Sequence, residues 1–432
     1  MGENAPQASA EQGETEKPKA KRNRPIEIED NEGDNNTIGD GSSGSSGDSR
    51  SSGGSGSSST LTATRQKKMK EEYHRNFNDF SEPSWVLPSG TNVDTVIYRH
   101  VHALRKESLL HSFVISRVQT VKDLFSNDDD KNAIAQELAR KKKRSDGPVV
   151  DVETAFISSY LSTPLETQTA LSRGWLTSDS TLDDPSKMSL YHSMMQIFMT
   201  YHQEGLKLST SRSESWYITK LWAFLPTILM MSGRLDHQPG EITSDASALR
   251  KNADRDLESR KFQGRKLDGM ISCTITNLEL GAIEAAKIDT GLQGTKSLTD
   301  SRKLGKVMKD MHDRVAAKAR EDIRNKLETF GLLISRNTVT LFTLRRLPGR
   351  HYQLVNGGSY TFPTTWDARG LGAKAIIDLL VRLTIFKSDI EDMADKVIEW
   401  TQPGVGGVET DVLVRTLTTP LPSPKAEKSS YL

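Results

Sequence analysis

The sequence predicts an α+β protein, with a mainly helical front half followed by a mixed-sheet core with flanking helices. Three observations predict it. Apolar residues recur at helical spacing up to about residue 240. Beyond that point, short runs rich in β-branched and apolar residues alternate with turn residues. A long charged helical stretch then separates the first strand pair from the strands that follow, an order suited to a sheet packed under helices. The chain divides accordingly into a low-complexity arm (1–65), a helical domain (66–240), a mixed-sheet core (241–402) and a C-terminal tail (403–432).

The arm ends in SSGSSGDSRSSGGSGSSST and has hardly an aromatic residue, so it cannot bury enough apolar area to offset chain entropy. It accounts for a hydrophobic content of only 35% and a mean hydropathy of −0.55. Within it, the basic island from Lys17 to Arg24 precedes an acidic run; a second island spans Arg140 to Arg144. Exposed cation clusters of this kind serve as phosphate-binding patches or as addresses for the nuclear import machinery. The net charge of +1, from 58 basic and 57 acidic residues, means that any surface for a nucleic acid must be local. One cysteine, Cys273, excludes internal disulfides and a cysteine-based zinc cluster. With no apolar signal segment near the start, these features lead us to expect an intracellular, nuclear protein.

The first helices follow the turn Leu87-Pro88-Ser89-Gly90, where Thr91 or Asn92 can cap a stripe of Val93, Val96, Ile97, Val101 and Leu104. A second set, from Leu109 through Val114 to Val121, is expected to continue as helix. Further helices are expected at 152–161, 188–201 and 214–231. The apolar run 221–231 is too short for a bilayer, which needs about 20 apolar residues, so it predicts a buried helix started or kinked at Pro226 and no membrane contact. A charged polar segment follows from Ser244 to Arg260, either a solvated helix face or a rim for a nucleic-acid backbone.

The next stretch carries the chemistry. A glycine break at Gly264 leads into a strand containing Leu267, Asp268 and Gly269; a polar turn near Thr276-Asn277 leads into a second strand ending in Glu284 and Lys287. Neighbouring strands can bring Asp268 and Glu284 together with a lysine beside them. Two converging carboxylates repel, and a hard divalent cation removes the repulsion while keeping waters of its own. Such an ion polarises a phosphoryl oxygen and acidifies water, and an ammonium stabilises developing negative charge. Phosphodiester hydrolysis is the reaction these groups suit. Acids and lysines at strand ends are also common as solvated, edge-protecting charges, and that reading stays open.

At these residues the chain resembles the PD-(D/E)XK, or restriction-endonuclease-like, superfamily, in the diverged form of many uncharacterised fungal proteins. The matching phrases are Gly264-Arg265-Lys266-Leu267-Asp268-Gly269, Glu279-Leu280-Gly281 and Glu284-Ala285-Ala286-Lys287. The resemblance implies a restriction-endonuclease-like core of helix, strands, helix and strand, nucleic acid as partner, and hydrolysis dependent on Mg²⁺ or Mn²⁺. It also implies Asp268 and Glu284 as metal ligands and catalytic acids, Lys287 as the catalytic lysine, and Glu258 or Glu279 as a further acid, Glu279 on the metal. The chain departs from the pattern at Leu267, where the signature has proline, and at Ala286, where it has lysine. Glu284 and Lys287 stand three apart rather than two, which on a regular strand puts them on opposite faces. An inactive nuclease-fold scaffold and a protein-interaction module are the alternatives these departures leave.

The glycine-rich stretch from Asp289 to Ser297 lacks the spacing of a nucleotide phosphate loop. Ser297 or Thr299 is expected to cap a helix running towards Phe330 and ended by Gly331. Its inner face would be Leu304, Val307, Met308, Met311 and Val315, with Lys303, Lys306, Lys309 and Arg314 around the outside. Strands are expected at 338–344 and 352–355, joined by the Leu347-Pro348-Gly349-Arg350 turn, and at 360–362. Two helices, 372–386 and 390–400, close the core.

Overall fold

The structure is a computed structural model that describes residues 63–79, 83–139, 185–209, 211–230, 233–253, 255, 260–286, 295–319, 321–366 and 371–401. Both basic islands, the 152–161 segment, the glycine-rich loop up to Gly294, the tail, Glu258 and Lys287 lie outside the described residues. The described residues all fall in one compact unit.

Besides short helical turns at Leu109–Ser112 and over 214–221, the elements in chain order are α1 (Ala63–Asn78), α2 (Val93–Ala103), β1 (Val114–Ile115), α3 (Val118–Lys122), α4 (Asp128–Ala139), α5 (Pro185–Gln203), α6 (Leu225–Met230), β2 (Leu235–Thr243) and α7 (Asp245–Asn252). They continue as β3 (Lys266–Cys273), β4 (Glu279–Ala286), α8 (Thr295–Lys318), α9 (Glu321–Arg324), β5 (Glu328–Ser335), β6 (Thr338–Arg346), β7 (Tyr352–Thr361) and α10 (Leu371–Thr401).

The strands form one mixed sheet of seven, in the order β1-β7-β6-β5-β4-β3-β2. β4 and β5 are parallel, which requires a crossover, and α8 provides it. β1 also pairs in parallel, with β7, and the remaining pairs are antiparallel. The α+β class is therefore as expected. Each face of the sheet carries its own apolar core. On one, Leu304, Val307, Met308 and Met311 of α8 and Val93, Ile97 and Val101 of α2 pack with Ala282, Leu333 and Leu344. On the other, α5, α6 and α10 pack over Phe330, Leu332 and Ile334, with Trp222 and Phe224 filling the gap before α6. Alternate residues of β5 thus serve opposite layers, as a strand's two-residue period dictates. Front-half helices and C-terminal strands share both cores.

Several elements differ from expectation for identifiable reasons. The stripe beyond Leu109 breaks because Phe113 adopts φ 61°, a left-handed turn, after which Val114-Ile115 join the sheet beside Tyr352-Gln353. Strand β2 carries Pro239 and Gly240, which mask a strand signal, yet it is an edge strand with an irregular register between Pro239 and Ile242, where proline is tolerated. Phe330 and Gly331 lie inside β5 rather than at a helix end. α8 stops at Lys318, and a Cβ on Gly331 would lie 2.6 Å from Met308 Sδ, so this glycine is where the crossover helix meets the sheet. The 352–355 and 360–362 runs form one strand, and the two closing helices form one. In the latter, Phe386 and Ile390 are buried four apart across the expected break, with Lys387 and Glu391 paired at 3.5 Å beside them. Asn92 does cap α2, accepting from Thr95 N at 2.9 Å.

Candidate functional site

Strands β3 and β4 pair antiparallel through Gly269↔Ile283, Met270↔Ala282 and Ile271↔Gly281. One residue beyond the Gly269↔Ile283 pair, on each strand, stand Asp268 and Glu284. Glu284 is paired with Leu333 of β5, whose side chain belongs to the α8 layer, so Glu284 points under the crossover helix. Asp268 and Glu284 are thereby brought together. Asp268 Oδ2 accepts from Ala285 N at 2.7 Å, and Glu284 Oε2 accepts from Lys303 Nζ of α8 at 2.9 Å. Glu284 Oε1 is buried with no hydrogen-bond partner among the described residues.

Burial pushes the Glu284 carboxyl up to about 8; Lys303 pulls it back, while Asp268 and Asp300 push it higher. A proton thus competes with any cation for this carboxylate near neutral pH, and binding an ion would release it. Lys303, with its side chain 31% exposed, connects the buried acid to solvent.

The lysines expected around the outside of α8 are not all there. Ten consecutive residues, Leu304 to Asp313, are buried, so α8 is enclosed on nearly every side. Lys306 is bonded to Glu107, and Lys309 donates to Asp313 Oδ2 at 2.7 Å. Asp313 Oδ1 also accepts from the Tyr352 hydroxyl at 2.5 Å. These carboxylates make it affordable to bury cations that a helical wheel assigns to solvent. Burial lowers both lysines, Lys306 to about 8. Arg265, next to β3, is also buried; its Nε and Nη2 find no acceptor among the described residues, and Asp310, Arg250, Glu107 and Glu284 act on its charge.

Glu279 is a separate feature. A bulge between Ile271 and Ser272 shifts the phase of β4, and Glu279 reaches the N-terminus of α7. There it accepts from Ser244 Oγ at 2.7 Å, Asp245 N at 2.5 Å and Ala246 N at 3.2 Å. Arg314 lies 3.8 Å away. Burial raises its carboxyl, and these donors hold it down. This is a helix cap delivered from a neighbouring strand, and the structure does not bring Glu279 to Asp268 and Glu284. The cap fixes α7 to β4, and ahead of β3 Gly264 passes so close to Ser244 that a Cβ would overlap the Ser244 carbonyl oxygen.

Of the site residues expected from sequence, Asp268 and Glu284 converge, Glu279 serves α7, and Glu258 and Lys287 are outside the described residues. Sequence reasoning missed Lys303 as a member of the site. The signal for Lys303 was its place in the first turns of the crossover helix that must cover the strand end. No group of three ligating side chains stands ready for a metal among the described residues. The two-carboxylate set with one orphaned oxygen nonetheless fits Mg²⁺, which is commonly held by one or two carboxylates with substrate phosphate and water completing its shell. No described helix is long and apolar enough to cross a membrane. The chain matches no known family, no curated protein and no solved structure.

Proposed function

We propose that this is a nuclease-like protein that binds nucleic acid and hydrolyses phosphodiesters with Mg²⁺ or Mn²⁺. The observation that carries the reading is the meeting of Asp268, Glu284 and Lys303 under α8, with one Glu284 oxygen buried and unpartnered among the described residues. The element order α7, β3, β4, α8, β5 supports it, since it is the helix, strands, helix and strand that the resemblance implies. Asp268 and Glu284 would hold the cation, which when bound supplies Lewis acidity to the phosphoryl group. Lys303 takes the role expected of Lys287: its ammonium orients Glu284 and stands ready to stabilise negative charge developing on the phosphate. Arg265 is buried next to β3, and Glu284 acts on its charge. The basic islands would deliver the protein to the nucleus, and neutralising Lys17 to Arg24 should leave a tagged protein in the cytoplasm.

A specific observation favours a second reading, an inactive scaffold of the same architecture: the Lys303–Glu284 pair and the Asp268–Ala285 bond already occupy one oxygen of each acid. Purified full-length protein, incubated with single- and double-stranded DNA and RNA plus Mg²⁺ or Mn²⁺, decides between them. Cleavage that Asp268→Ala abolishes supports hydrolysis. Equal cleavage by both forms would assign it to a contaminant, and no cleavage would leave the scaffold.

A further inference from the structure

Phe262 is 61% exposed, yet its backbone is held on both sides. Its N–H donates to Asn252 Oδ1 at 2.8 Å, and Asn252 Nδ2 donates back to the Phe262 carbonyl at 2.8 Å. The same Nδ2 donates to Ala248 O at 2.6 Å, which fixes the carboxamide on α7. Lys251 Nζ donates to the next carbonyl, that of Gln263, at 2.9 Å. Leu249, three residues before Asn252 and on the same side of α7, is 55% exposed. Arg260 and Lys261 are exposed just ahead of the ring, and Lys266 is exposed beyond it, 3.3 Å from Glu241.

An isolated exposed apolar side chain is ordinary. Here the main chain is stapled to a helix while the phenyl ring points to solvent, so the ordering cost of presenting it is already met in the free protein. Cations flank the ring and select a polyanion; the open aromatic face selects a flat ring. Nucleic acid with unpaired bases has both, whereas in a duplex the base faces are covered by their neighbours. Phe262 and Asp268 are six positions apart in the chain, so the two lie no more than about 20 Å apart.

We propose that Phe262 is a stacking platform for an unpaired base of single-stranded DNA or RNA. Arg260, Lys261 and Lys266 hold the adjoining phosphates. The proposal rests on the nucleic-acid reading of the acids and names the form of the substrate, but it can be tested apart from hydrolysis.

The test is fluorescence anisotropy with full-length protein in EDTA, using labelled oligo-dT and oligo-rU of about a dozen nucleotides and a duplex of equal length. The wild type should prefer the single strands. Phe262→Ala should weaken single-strand binding about 5- to 100-fold with unchanged circular dichroism and melting temperature. Phe262→Trp should restore it. Lys261→Ala should weaken binding and reduce the salt slope by about one ion. Binding by Phe262→Ala equal to wild type, a tryptophan variant as weak as the alanine one, or a wild-type preference for duplex would each overturn the platform. So would a wild-type dimer that Phe262→Ala converts to monomer, because a second copy would then cover the ring. Intact single-strand binding without metal-dependent cleavage sinks hydrolysis and leaves the platform standing.

Discussion

Lys303 Nζ donates to Glu284 Oε2 at 2.9 Å across the boundary between helix and sheet. The lysine of the nuclease signature sits on the strand, two residues after the acid, where this chain has Ala286. Here the ammonium descends from α8, and the acid it meets is 3% exposed. A strand lysine would be fixed by the pleat; this one is fixed by how closely α8 packs on the sheet, and the close approach at Gly331 sets that.

Lys303→Ala is therefore expected to lower metal-dependent cleavage by about 100-fold or more, the scale of losing one positioned charge or proton donor. Lys303→Arg should retain only part of the activity, because a planar guanidinium does not reproduce an ammonium point charge. Initial rates on a labelled oligonucleotide measure both. Wild-type rates in Lys303→Ala would remove this residue from the mechanism.

Glu284 also sets a stability slope with pH. Its carboxyl rises from 4.5 to about 8 on folding, so between those values the folded chain holds a proton that the unfolded chain has released. Its contribution is complete below about pH 4.5 and is lost as pH climbs through about 8. Buried His111 and His237, lowered to about 4, and His312, lowered to about 3, act oppositely below pH 6.5. The difference between wild type and Glu284→Gln isolates the acid from the histidines. Denaturant unfolding should show the wild type losing on the order of a few kcal/mol relative to Glu284→Gln between pH 5 and 9. A constant difference would mean that Glu284 is ionised throughout.

Local patterns carried the parts of the fold that local physics decides. The Asn92 cap, the Val93 stripe, the β6 alternation and the two strands bearing Asp268 and Glu284 were all legible because each rests on side-chain period and turn residues. What escaped depends on residues distant in sequence. β2 is a strand only because β3 pairs with it despite Pro239. Gly331 looks like a helix stop until Met308 is placed over it. Lys306 looks solvent-facing until Glu107, 199 residues away, arrives to receive it. Glu279 and Glu284 are alike as sequence letters, and only the bulge at Ile271 and the position of α7 give them different work.

That separation of the two glutamates is testable by pairing variants. Glu279→Gln should cost about 1–2 kcal/mol in unfolding experiments through the weakened cap on α7, and should leave Mg²⁺ or Mn²⁺ affinity near the wild-type value. Asp268→Asn should retain the fold and lose cation affinity in isothermal titration. If Glu279→Gln abolishes cation binding while its melting temperature holds, Glu279 belongs to the metal site after all.

The two close approaches beneath the site differ in what can yield, and that fixes the order of their costs. At Gly264 an added Cβ meets the carbonyl of Ser244, the N-cap of α7, whose own N–H donates to Arg265 O at 2.9 Å just before β3. Nothing there can rotate away, so Gly264→Ala must displace either α7 or the start of β3, at about 3 kcal/mol or more. At Gly331 the obstacle is Met308, an unbranched side chain that can change rotamer at the expense of the α8 core, so Gly331→Ala should cost about 1–3 kcal/mol. Because α8 carries Lys303, Gly331→Ala should also lower activity more than its stability loss explains, as the ammonium is lifted from Glu284. Melting curves and cleavage rates on both variants test the ranking. A Gly331→Ala protein that is destabilised yet fully active at permissive temperature would show that the Lys303–Glu284 contact does not depend on how closely α8 sits on the sheet.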